Sequence, residues 1–282
     1  MNKIAKIFVV LLFCLANTSH SYAQEKEFGV WAGTVVYLGD LNPNVSFKNA
    51  RQAFGTFFRY NLNNRMALRA GINYGFLQAK DANAVRYPYL QHRNLSFKSQ
   101  LFEGMLAYEI NFFPYSNVPN SKERNWTPYV FGGASLFYYS PSVRYDGTNF
   151  KLEAIGTEGQ KDPNVIKKER GYQSYSFAIA YGGGIKYALN QNWAINVEVS
   201  SRATFTDFID DVSGKYPAAD ELYYLYGDVN IAELLSDRST EVGPKIGYEG
   251  KQRGTSKDKD RFMFLGVTLT YTIHDLKCPK VF

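Results

Sequence analysis

The chain has 282 residues, a formal net charge of +6, and 22 Tyr, 21 Phe and 23 Gly. Mean hydropathy is −0.32, and beyond residue 23 no apolar run is long enough for a membrane helix. So mild a basic excess excludes a nucleic-acid footprint, and no pair of histidines has metal-ligand spacing.

Taken in order, the chain opens with Lys3 and Lys6, an apolar run from Ile7 to Leu15, and Ser21-Tyr22-Ala23. This is signal-peptide grammar, with residues 1–23 removed and Gln24 first in the mature chain. Cys14 raises a lipoprotein alternative, but Phe13 before it is too large for the usual small residue. Losing Lys3 and Lys6 lowers the formal charge from +6 by two, to +4.

Strand signals fill the rest. Period-two alternation is a strand signal because successive side chains leave opposite faces of the backbone. The first predicted strand is Phe28–Leu38, broken by Gly39-Asp40-Leu41-Asn42-Pro43. The second is Gln52–Tyr60. The third, Arg65–Leu77, sets Leu68, Ile72 and Phe76 against Arg69, Gly71 and Asn73. The fourth is Phe97–Phe113 and the fifth Trp126–Tyr139, followed by a long polar loop, 140–173. Ser174–Phe208 reads as a hairpin turning at Asn190-Gln191-Asn192. The longest loop, 209–260, precedes the eighth strand, Arg261–Ile273.

Eight strands is an even number, and short connections alternate with long ones at 39–51, 78–96, 140–173 and 209–260. That pattern predicts one domain, residues 24–282: an all-β, eight-stranded antiparallel transmembrane β-barrel of the outer membrane. Its four long loops are external; both termini and a short C-terminal tail are periplasmic. The expected lipid contacts are the greasy faces, with Tyr60, Tyr108, Phe112, Tyr187 and Trp193 at headgroup level.

The inward parity holds Arg59, Arg69, Glu103, Glu109, Lys186, Glu198 and Arg202. Eight strands leave a bore that side chains just fill, so ion-paired packing is expected ahead of a pore or buried ligand. No catalytic, metal or cofactor site is expected. His92 falls in an external loop and His274 at the periplasmic end, so they cannot share a site. Ser96 and Asp81 are the nearest candidates for partners of His92. Gly182-Gly183-Gly184 lies within a strand and reads as close backbone approach rather than a phosphate loop. Asn230-Ile231-Ala232-Glu233 reads as a capping box opening a short helix. Lys251–Arg261 reads as a solvated charge run.

Four segments carry a family resemblance: TVVYLGDL (Thr34–Leu41), FRYNLNNRMALRAGINYG (Phe58–Gly75), TFTDFIDDVSGKY (Thr204–Tyr216), and RG with KDKDRF between Arg253 and Phe262. They resemble the PorG-like outer-membrane barrels of the Bacteroidetes type IX secretion system. The resemblance implies a non-enzymatic subunit of a protein secretion machine in a Gram-negative outer membrane. Its partners would be outer-membrane lipid and a periplasmic ring built from a lipoprotein and its partner, with no nucleic acid. The competing class is a stand-alone porin or ligand-binding barrel like OmpA or OmpW. Candidate contacts with the ring are the short turns at Asn63, Asn64, Asn117, Asn120, Lys122, Arg124, Gln191 and Asn192. Cys278 is the sole cysteine after signal removal and a candidate for an intermolecular disulfide.

Overall fold

The computed structural model describes residues 25–118, 123–160 and 172–274. The expected signal peptide, Asn120, Lys122 and the tail with Cys278 lie outside the described residues. The strands are β1 (Lys26–Leu38), β2 (Arg51–Asn61), β3 (Met66–Lys80), β4 (Ser96–Asn111), β5 (Trp126–Tyr145), β6 (Thr148–Lys151), β7 (Tyr175–Ala188), β8 (Trp193–Thr204), β9 (Leu225–Tyr226), β10 (Val229–Asn230) and β11 (Arg261–Ile273). Eight of them close on themselves. Each of β1, β2, β3, β4, β5, β7, β8 and β11 pairs antiparallel with the next, and β11 returns to β1. The result is an outer-membrane-type, eight-stranded up-and-down barrel whose eight strands are each paired on both sides, while β6 extends the β5 wall beyond it. Among the described residues no helix is long and apolar enough to cross a membrane.

Alternation places the faces. On β4 every second residue from Phe97 to Asn111 is buried, while Phe102, Leu106 and Ile110 are exposed. The same rule exposes Phe28, Phe54, Ile72, Val130, Ile179, Val197 and Leu269 on other strands, a continuous apolar belt. At the end of the short turns the belt finishes in Phe112, Trp126, Tyr187, Trp193 and Tyr271, with Tyr60 and Tyr108 half-buried beside it. The rings of Trp193 and Tyr271 meet edge-on at 5.0 Å.

One sequence reading of the loops needs correction here. Residues 140–151 are not simply a polar loop. Strand β5 runs on to Tyr145 and turns back into β6 through Asp146-Gly147, both at positive φ (44° and 77°). Asp-Gly is a favoured two-residue hairpin turn, but Ser140, Pro141 and Ser142 mask the alternation leading to it. The long loops pack together. Leu41, Leu95, Phe150, Ile155, Ile209, Val212, Ile231 and Leu235 are buried together with the barrel residues Val35, Tyr37, Phe97, Phe137, Tyr139 and Phe262. The loops thus form a packed cap over the upper barrel, sharing its core. Within it a short helix, Ile231–Ser236, starts where the sequence places it, yet Asn230 makes no side-chain cap bond. Its amide instead accepts from Tyr224 N and donates to Leu222 O, closing the β9–β10 hairpin.

Candidate functional site: a filled lumen under a buried acidic cap

The lumen is filled by charge pairs. Arg59 Nη1 donates to Glu27 at 2.5 Å, and its Nη2 lies 3.1 Å from Glu109. Glu109 also accepts from Lys186 Nζ, so one carboxylate serves two cations. One layer up, Arg69 pairs with Glu198 at 2.5 Å, and Tyr129 Oη donates to the same carboxylate at 2.6 Å. Arg202 grips Glu103 with Nε and Nη2, at 2.5 and 3.2 Å. Asn73 donates to Glu103 and accepts from Trp31 Nε1. The structure therefore brings together all seven inward residues expected from the sequence. Glu27 was missed because both faces of the first strand read as apolar and the prediction began at Phe28. Gly182 and Gly184 do accommodate close approach: a Cβ on Gly184 would lie 2.2 Å from Val197 O and 2.9 Å from Tyr129 Oη.

Both mouths are closed. Residues 112–118, which follow β4, fold across the turn end and bury Tyr115 and Asn117. Asn117 Nδ2 donates to Thr272 Oγ1 of β11, four strands around the barrel, at 2.7 Å. Between Arg69, Asn73, Glu198 and Arg202 the remaining void is about 10 Å³, no more than about one water.

At the other mouth, two buried arginines tie all four long loops together. Arg93 donates to both oxygens of Asp81 (2.7 and 2.8 Å), to Arg253 O (2.6 Å) and to Asp40 O (3.0 Å). Arg253 donates to Glu158 (2.8 Å), Asp211 O (2.6 Å) and Ser236 O (3.2 Å). The expected solvated run therefore fails at Arg253 and Asp260, which are both buried. Between them sits a cluster of carboxyls. Tyr37 Oη lies 2.5 Å from Asp210 Oδ2 and 2.6 Å from Asp260 Oδ1. A phenol has one hydrogen and can donate to only one of them. Two carboxyls crowding one phenol in a buried site favour retention of a proton by the pair. Burial, reinforced by the charges of Asp260 and Asp40, pushes Asp210 well above the usual carboxylate range. Burial likewise raises Asp260, with Asp207 and Asp40 adding to it. Asp207 is pushed up to about 7 and Asp211 to about 6, burial being the first cause for both. Asp211, at φ 65°, accepts from Tyr172 Oη at 2.7 Å and from Thr157.

Three of the four segments that carried the resemblance meet here: Tyr37 and Asp40, then Asp207 to Asp211, then Arg253 and Asp260. The sequence signal was available, since acidic residues interleaved with Phe208, Ile209 and Val212 are not a solvated pattern. A family profile described as a domain of unknown function (DUF6089) matches residues 5–156, more than half of the chain. The chain belongs to the DUF6089 family. No curated protein matches it. Among solved structures, this DUF6089 protein is similar to the attachment invasion locus protein Ail of Yersinia pestis, solved with the heparin analogue sucrose octasulfate. Identity is 8%, coverage 89% of this chain and 100% of that one, and TM-score 0.42. It is also similar to Neisserial surface protein A (12% identity, 87% and 96% coverage, TM-score 0.40). Outer membrane protein OprG of Pseudomonas aeruginosa matches at 10% identity, 90% and 97% coverage and TM-score 0.41.

No described group of three or more His, Cys, Asp or Glu side chains could hold a metal ion. His92 contacts Pro244 O, whereas Asp81 is held by Arg93 and Leu95 N, and Ser96 accepts from Arg238. These residues make no triad. His274, at the other end, lies between Glu25 (3.1 Å) and Gln191 O (2.7 Å). Of the turn residues, Asn63 accepts from the N–H groups of Arg65 and Met66, and Asn64 donates to Glu123. Arg124 lies exposed over the Phe113 ring. Gln191 is exposed, and Asn192 donates to Thr272 O. Asn117 is buried and engaged, so it is withdrawn as a contact residue.

Proposed function

We propose that this chain is a non-enzymatic, non-conducting outer-membrane subunit of a protein secretion machine of the type IX kind, in a Bacteroidetes-like Gram-negative envelope. The observation that carries the non-conducting role is the filled lumen. Three layers of buried ion pairs cross it, and a folded segment closes each mouth. A solute would have to displace paired charges from a low-dielectric interior, which is strongly unfavourable. The secretion role rests on the resemblance of the four segments. Under it the long-loop cap faces outward and the turn end faces a periplasmic ring of a lipoprotein and its partner. Asn63, Asn64, Arg124, Gln191 and Asn192 are its contact candidates, and Cys278 is a candidate covalent tether.

Detergent extraction of tagged protein from its native host tests the assembly role. The ring lipoprotein and its partner should co-purify, and deletion should abolish cargo secretion. A deletion that changes only solute uptake, with steady single-channel currents from purified protein, sinks the reading in favour of a porin. For the tether, alkylated whole cells run on non-reducing gels should show a larger, reductant-sensitive band that Cys278→Ser removes.

A further inference from the structure

One sector of the outward face departs from the apolar belt, and strand register sets its rows. The lowest row is aromatic: Phe54 opposes Tyr74, Tyr74 opposes Phe102, and Phe102 opposes Tyr138. One rung nearer the long loops, Phe76 opposes Gln100 and Gln100 opposes Ser140. One rung further, Gln78 opposes Lys98, Lys98 opposes Ser142, and Ser142 opposes Lys151. Arg144 stands beyond them on β5, and Arg51 donates to Gln78 Oε1 at 2.9 Å. A groove of about 950 Å³ follows these rows. Four cations line it, Arg51, Lys98, Arg144 and Lys151, and no acidic residue does. All four are exposed, and none makes an ion pair with a described residue.

This is not a general ring of basic residues. At the same end, β7 and β8 and the residue following β8 present Tyr175, Phe177, Ala203 and Phe205, and β11 contributes a single described cation, Arg261. Along tilted strands the cations stand on the order of 10 Å beyond the aromatic row. That carries them to the outer edge of a headgroup layer about 5–8 Å deep. The outward order is thus ring, amide or hydroxyl, then cation. It matches acyl chain, sugar, then phosphate.

We propose that this groove binds a phosphorylated glycolipid of the leaflet around the long-loop end. Lys98, Arg144 and Lys151 hold the phosphate by charge-assisted hydrogen bonds. Gln52 and Gln100 meet sugar hydroxyls. The acyl chains lie on Phe54, Phe102 and Tyr138. The amide and hydroxyl row is what favours a glycolipid over a simple phospholipid, which has no sugar to satisfy it.

Native mass spectrometry of the purified full chain in detergent, titrated with diphosphoryl lipid A, reads the site. Lys98→Gln/Arg144→Gln/Lys151→Gln should weaken binding on the order of 100-fold. The charge-matched control Lys245→Gln/Lys251→Gln/Lys257→Gln, on the cap, should leave it unchanged. Dephosphorylated lipid A should bind as weakly as the triple variant, and millimolar inorganic phosphate should not displace the lipid. Equal binding by wild type and triple variant overturns the site. So does equal affinity for dioleoyl phosphatidylglycerol, or displacement by inorganic phosphate alone. Heat-modifiable gel migration checks folding. If the triple variant fails it, Arg144→Gln, beyond the barrel wall, should still lose about 5-fold. The measurement involves no secretion partner, so its failure leaves the assembly role standing.

Discussion

Glu109 shows how one side chain can govern the lumen. Its two oxygens serve Arg59 and Lys186, and all three groups are buried. Glu109→Gln removes the shared anion and leaves a lysine and part of an arginine without charge compensation. Breaking one partner of a buried pair costs about 3–5 kcal/mol, so the urea midpoint of Glu109→Gln should fall by that equivalent. An unchanged midpoint would mean that water reaches these charges. Asp210 and Asp260 behave oppositely, because the fold holds a proton they would otherwise lose. Their pKa is raised in the folded state, so the native cap binds more protons than its opened form. The contribution of these two groups to cap stability is therefore greatest at low pH and falls as pH rises above the ordinary carboxylate value of 3.8. Asp211 and Asp207 extend the fall through about 6 and about 7. Hydrogen exchange over residues 205–216, corrected for intrinsic rates, should show opening becoming easier from pH 5 to 8. The slope should reach at most about 1.4 kcal/mol per pH unit for each titrating carboxyl. Asp260→Asn should flatten that slope, and an unaltered slope in this variant removes the shared-proton arrangement.

Among the strands, β7 has little room to change. A Cβ at Gly184 meets the Val197 carbonyl at 2.2 Å and the Tyr129 hydroxyl at 2.9 Å. Backbone cannot retreat as a flexible side chain can. Gly184→Ala must splay β7 from β8 and push Tyr129 off Glu198, and it should cost about 1–3 kcal/mol. Gly132 on β5 is the matched control, since a Cβ there meets nothing within 4 Å. Gly132→Ala should stay within about 0.5 kcal/mol of wild type. Equal effects at the two positions would remove close packing as the reason for the glycine run. The cap is a comparable unit: its loops share one core with the upper barrel and are joined through Arg93 and Arg253. Their length therefore does not make them open.

For the whole molecule, orientation and packing combine in one prediction. Trypsin added to intact cells should cut at the exposed cap lysines Lys245, Lys251, Lys257 and Lys259. Arg93 and Arg253 are buried in the same loops and should resist until the barrel is unfolded. Arg65, exposed in a short turn, should be protected by the membrane until lysis. Early cleavage at Arg65 would invert the topology; early cleavage at Arg253 would show that the cap is not the packed body described. Planar bilayers should record no steady current, because the lumen is blocked in its middle as well as at its ends. Opening one mouth by Asn117→Ala should therefore leave the barrel silent.

Alternation by itself determined the barrel. Each residue's face follows from its parity, so Arg59, Glu109 and Lys186 could be placed inside before any pairing was known. Strand ends were legible where turn chemistry is strong, as around Asn190-Gln191-Asn192 between β7 and β8, and were lost where Ser140, Pro141 and Ser142 interrupt the pattern. What only the tertiary structure decided is which distant residues meet. Glu103 and Arg202 are 99 positions apart, and Tyr37 and Asp260 are 223 apart. Local periodicity carries no term for such distances. The cap was hidden for the same reason: its loops lack a repeat, and their burial depends on each other rather than on a lipid boundary. Phe208, Ile209 and Val212 mark Asp207 to Asp211 as more than a solvated stretch, yet which groups enclose those carboxyls is decided only when the other three loops are in place to exclude water.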